Sequence, residues 1–86
     1  MDIGEAVKHM WEGGKVSRSG WNGKNMYLFM NFGGDTIRSG TLKVGIMLPF
    51  VNMKTATGEV VPWLCSQSDL LAKDWGTVVL EPAQYE

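Results

Sequence analysis

The stretch MYLFMNF, residues 26–32, decides how the chain folds. Its alternate positions are Met26, Leu28 and Met30 on one side and Tyr27, Phe29 and Asn31 on the other. Both sides are mainly apolar, and such a strand is expected to be covered on both. A second stretch, IMLPFVNMK at 46–54, has similar character, although Pro49 cannot donate to a ladder and marks an edge or a bulge. The turn TATG at 55–58 leads into a returning strand at 59–63, so the pair reads as a β-hairpin.

Between these stretches, residues 33–45 are glycine-rich and polar, either a long loop or a pair of ragged strands. Upstream, KVSR at 15–18 is a short strand and SGWNGKN at 19–25 a turn, with Gly20 and Gly23 flanking Trp21-Asn22. The chain opens with a helix. Asp2 and Glu5 have capping-box spacing, and Ile3, Ala6, Val7, Met10 and Trp11 fill an apolar arc of roughly 140°. Glu5, Lys8, His9 and Glu12 fill the polar side, and Gly13-Gly14 stops the helix. Downstream, Ser66 caps a second helix with Asp69 at its third position. That helix is expected to run to about Trp75 and stop at Gly76, followed by a last strand at 77–80 and a frayed tail. The expected fold class is α+β: a small antiparallel sheet with two short helices, one domain over residues 1–86.

A chain of 86 residues buries only about 60–65% of its unfolded surface, and domains of this size commonly need a staple. Cys65 is the single cysteine and His9 the single histidine, so neither a disulfide nor a Cys/His zinc site can form within one chain. Two short helices cannot cover both faces of a sheet, whereas another copy of the chain can, so a homo-oligomer is expected. The formal net charge of −1 argues against DNA or RNA as a partner but leaves room for a small phosphate ligand. No secretory signal or membrane span is read from the sequence, and a lone cysteine fits a reducing cytosol.

Catalytic signals are weak. Cys65 and His9 could pair as nucleophile and base, but His9 is placed on the polar helix face and Cys65 reads as a small buried residue. No metal motif, phosphate loop or nucleophile elbow is present, and no cofactor is expected. The binding signals are stronger. Of four tryptophans, Trp11 is assigned to the core face of the first helix, and Trp63 and Trp75 read as core. Trp21 sits in a polar turn, open between ligand contact and structural plug; an indole offers a flat stacking face and one N–H donor. The N-terminus of the second helix, with Ser66, Gln67 and Ser68 beside Lys54-Thr55, could face an anion, and Arg18, Lys24 and Arg38 could add charge.

The ordered runs GWNGK at 20–24, PFVNMKT at 49–55, VPW at 61–63 and SQSDLLAKDW at 66–75 carry a resemblance. With the opening helix, glycine pair and Lys-Val-Ser-Arg stretch, they resemble the second Thoeris anti-defence family of bacteriophages over about three quarters of the chain. The resemblance implies a non-enzymatic sponge in the cytoplasm of the infected host. Such a sponge sequesters the cyclic ADP-ribose isomers that bacterial TIR-domain proteins make as an alarm signal. It implies a homotetramer with ligand pockets between protomers, and some relatives also bind cyclic dinucleotides. On this basis Trp21 or Trp75 is expected to stack on adenine, and Asn22 and Asp74 to bond ribose or base edges. The Ser66–Ser68 N–H groups would face phosphate with Lys54. Gly23, Met26, Thr55, Trp63 and Gln67 complete the expected binding set. The alternative is a protein–protein interaction module or toxin–antitoxin component with no nucleotide ligand.

Overall fold

A computed structural model describes residues 1–21 and 25–79. Helix α1 (Ile3–Trp11) starts at the expected capping box: the Asp2 carboxylate accepts from Glu5 N–H, and the Glu5 carboxylate accepts from Asp2 N–H. It ends at Gly13, whose φ of 91° lies in the left-handed region that glycine tolerates. The strands are β1 (Lys15–Arg18), β2 (Tyr27–Asn31), β3 (Thr36–Ser39), β4 (Leu42–Ile46), β5 (Phe50–Lys54), β6 (Val60–Pro62) and β7 (Trp75–Val78), with α2 (Gln67–Leu71) between β6 and β7. Five of them form an antiparallel sheet in the order β6-β5-β2-β1-β7. The α+β expectation with two short helices is therefore met.

The 33–45 segment takes the second of its two readings. β3 and β4 pair as a separate two-stranded sheet, and Gly34 N–H to Met47 O and Met47 N–H to Asp35 O, both 2.8 Å, join it to the β2–β5 ladder. β2–β3 and β4–β5 are thus two arms of one long hairpin. Its waist needs Gly33, where a Cβ would stand 2.6 Å from the Met47 carbonyl oxygen. Ile46 belongs to β4, so the strand expected at 46–54 begins only at Phe50, past Pro49.

The core lies on one side of the large sheet. Ala6 and Met10 of α1 pack on Val16, Leu28, Met30 and Trp75. Cross-strand partners share a face, so the register places Tyr27, Phe29 and Lys54 on the side away from α1. Several expectations need correction. α2 stops at Leu71, because Ala72 is extended, and Trp75 instead opens β7, where it pairs with Arg18 and is 3% exposed. The last strand accordingly begins two residues earlier than expected. Trp11, assigned to the core, is 51% exposed and leans on Phe32 at 6.0 Å, while Ala6 and Met10, with Ile3 and Val7 packed beside them, occupy the space above the sheet. Cys65 is exposed rather than buried. His9 is half-buried, and its ring occupies the space a side chain at Gly14 would need. Among the described residues, no helix is long and apolar enough to cross a membrane.

Candidate functional site

Arg18 ends β1 beside Trp75, and the chain then turns through Ser19 and Gly20 into Trp21. The turn is closed by Trp21 N–H to Arg18 O at 3.3 Å. From the strand end the Arg18 guanidinium reaches two carboxylates. Its Nη1 donates to Asp69 Oδ1 at 2.8 Å and its Nε to Asp74 Oδ1 at 2.9 Å. The second Asp74 oxygen accepts from Ser19 Oγ at 2.9 Å and Gly20 N–H at 3.3 Å. One arginine thus ties α2, the 72–74 connection and the Trp21 turn together. Its planar fork suits this double contact, where a lysine would offer a single point charge.

The electrostatics follow from these bonds. Arg18, helped by Ser19, holds the Asp74 carboxyl below its ordinary value, at about 2. At Asp69 burial pushes upward, but hydrogen bonds from Arg18 and Ser66 outweigh it and the net shift is downward. Hydrogen bonds to Asp69 and Asp74 raise Arg18 in turn. Desolvation, then the nearby Asp69 charge, pushes the Cys65 thiol upward and reduces its thiolate fraction at neutral pH.

Against this clamp stand three indoles. Trp75 is central: the Trp21 ring meets it at 5.5 Å and 82°, and the Trp63 ring at 5.9 Å and 89°. Its Nε1–H donates to Asp69 O at 3.1 Å, which satisfies the one polar atom of a buried indole. Trp21 and Trp63 are half-buried and keep part of their rings at the surface. The arrangement can stack a flat ring at its margin and offers Asp74 and Ser19 as polar neighbours.

Of the expected site residues, the structure gathers Trp21, Trp63, Trp75 and Asp74 at one place. Asn22 and Gly23, with Lys24, lie outside the described residues. Met26 is half-buried just before β2. Lys54 is not with the indoles: it stands on the opposite face of the sheet, over the Tyr27 ring at 5.6 Å, and donates to Asn25 O at 2.9 Å. Thr55 is occupied in the β5–β6 turn, where its hydroxyl donates to the Glu59 carboxylate at 2.8 Å. Ser66 caps α2 by accepting from Asp69 N–H at 3.1 Å, and Gln67 is exposed. With five residues, α2 has a far smaller dipole than the longer helix expected, which weakens the anion reading of its N-terminus. Trp75, a candidate for stacking on adenine, is covered by the other two rings, so the outer indoles are the ones available to a ligand.

Sequence reading treated Arg18 only as spare charge and Asp69 only as a capping residue. The signal was faint, because Arg18 lies 51 and 56 positions from its partners and no spacing rule connects them.

The curated protein "Thoeris anti-defense 2" of Bacillus phage SP01 is 36% identical over 85 residues, covering 91% of this chain and 94% of its own length. The family model described as the Thoeris anti-defense 2-like domain matches residues 1–78, which takes in both helices, all seven strands and the whole indole–arginine cluster, and this chain belongs to that family.

Proposed function

We propose that this chain is a phage anti-defence protein that binds a cyclic nucleotide immune signal of the cyclic ADP-ribose type and withholds it, uncleaved, from the host effector. The observation that carries the reading is the indole cluster. In a member of an anti-defence family, two half-buried tryptophans are braced on a third and locked by Arg18, a rigid edge on which adenine can stack.

The magnitudes are sufficient. A cyclic ADP-ribose has roughly 35 heavy atoms, and ~0.3 kcal/mol per atom gives about −10 to −11 kcal/mol, near tens of nanomolar. Such affinity requires near-complete enclosure. One indole edge on one chain does not provide it, so the second wall is assigned to another protomer. The surface of the β3–β4 hairpin supports self-association. Leu42, Val44 and Ile46 of β4 are all exposed; the register shift between Ile37 and Arg38 leaves Val44 unpaired at a bulge and puts Leu42 and Ile46 on opposite faces, so the hairpin shows apolar side chains on both sides, which an isolated two-stranded sheet cannot bury by itself. The assembly is proposed to be a homotetramer acting in the cytoplasm of the infected cell.

The test is to saturate the protein with a cyclic ADP-ribose isomer, remove the excess, denature the complex by heat and identify what is released. Intact signal is the expected result. A cleaved product would make the protein a hydrolase, and no retained small molecule would leave a surface-blocking interaction protein.

A further inference from the structure

The indole cluster carries the wrong charge for a phosphate ligand. Arg18 is the cation at its centre, and both Asp69 and Asp74 draw on it, so one guanidinium against two carboxylates leaves a net negative charge. Asp74, held at about 2, is ionised at neutral pH. Lys54 stands on the opposite face of the sheet. A ligand of the class proposed above is negatively charged at both phosphates, and the field of the cluster repels it unless cations stand closer.

Two such cations stand at the other end of the chain. The stretch TIRSGTLKVGIML, residues 36–48, holds Arg38 and Lys43 and no carboxylate. Arg38 and Lys43 are cross-strand partners in the β3–β4 arm, so they share a face, and both are exposed. Among the described residues neither forms an ion pair. Like charges directly opposite on a ladder are destabilising, and an anion that meets both relieves the repulsion. Topology keeps the pair from the cluster of its own chain. The arm leaves the β2–β5 ladder at Asn31 and Phe50, while β1, antiparallel to β2, carries Arg18 to the Tyr27 end. The 5 residues of β2 put roughly 15 Å between the two ends. Each end also exposes apolar side chains: Leu42 and Ile46 on the arm, and Leu64, Leu70 and Leu71 at α2, the helix that supplies Asp69 to the clamp. Two unlike patches at opposite ends of one chain are both covered when a two-fold axis lays each arm on the α2 end of the other copy.

We propose that Arg38 and Lys43 are ligand residues in trans: the β3–β4 arm of one copy lies on the α2 end of another and brings its two cations to the phosphates of the ligand stacked on that copy's indole edge. The proposal rests on the cyclic-nucleotide reading above and adds to it the side chains that complete the site. Charge favours this pairing over arm against arm, because the acid-free arm then meets the net negative cluster instead of its own like charge. Each copy both gives an arm and receives one, so the sites close in pairs.

The probe is the cyclic ADP-ribose isomer that the wild-type protein retains, titrated into the full chain by calorimetry. The double variant Arg38→Gln/Lys43→Gln is expected to weaken binding tenfold or more and to flatten its dependence on salt, with circular dichroism and oligomer unchanged. Mixing separates trans from cis. Trp21→Ala chains and double-variant chains are each weak alone. Co-expressed in equal amounts, about a quarter of the sites join an intact indole edge to an intact arm from another copy, and that fraction should regain wild-type affinity. No recovery on mixing, full affinity in the double variant, or a loss confined to Lys24→Gln or Lys73→Gln would overturn the proposal while leaving the cyclic-nucleotide reading in place. A double variant that dissociates would make the two cations an assembly contact only and overturn it as well. A wild-type protein that retains no isomer would overturn the reading itself, and the proposal with it.

Discussion

The Trp21 ring meets the Trp75 ring nearly at a right angle, 82°, with 5.5 Å between centroids. Edge-to-face contact suits the charge distribution of two indoles and holds the half-buried ring against the fully buried one. Trp21 is therefore both a structural contact and an available surface, and the two roles can be separated by measurement.

Trp21→Ala should cost about 1–3 kcal/mol of binding to a cyclic ADP-ribose isomer, the range for loss of one base-stacking ring. The oligomer should stay intact. Calorimetry giving wild-type affinity in an intact assembly would make Trp21 a plug only.

Trp75→Ala should behave differently. Its side chain is the hub of the other two indoles and is 3% exposed, so truncation should destabilise the fold by about 3–5 kcal/mol. Urea denaturation reads this directly. A loss under about 1 kcal/mol would mean that the three rings do not depend on Trp75, contrary to the cavity cost expected at a packed site.

Acid should loosen the same region. Asp74 is held by Arg18 at about 2, below its ordinary 3.8, and Asp69 is lowered in the same direction. A depressed carboxyl contributes stability that is fully present above the ordinary value and is lost as pH falls through the held value. Tryptophan fluorescence and melting temperature should therefore fall between pH 3.8 and about 2. Arg18→Met should lower the melting temperature at neutral pH and flatten this acid-dependent step, with Arg18→Lys intermediate. An unchanged step in Arg18→Met would remove the clamp from the explanation.

Self-association through the β3–β4 hairpin is checked by light scattering at micromolar concentration, where a tetramer is expected. Val44→Glu, at the exposed bulge of β4, should shift the population to smaller species without unfolding the five-stranded sheet. A wild-type monomer would end the inter-protomer pocket as well.

What the sequence determined by itself was local. Asp2, Glu5 and Gly13 fix α1 because caps and stops act within one helical turn, and alternating residues fix β2 because side chains change sides at every step. The presence of Trp21, Trp63, Trp75 and Asp74 in the candidate site was also legible, through turn composition and a family resemblance. Only the tertiary structure decided which way each of them faces. Residues 72–75 fit the end of a helix by local propensity, yet Trp75 becomes a strand residue because β1 offers an open edge and the core offers a space for one indole. The same packing leaves Trp11 outside, moves Lys54 to the opposite face, and gives Arg18 two carboxylate partners from the far end of the chain. These outcomes depend on strand order and on which residue reaches a shared space, and neither quantity is carried by any short window of sequence.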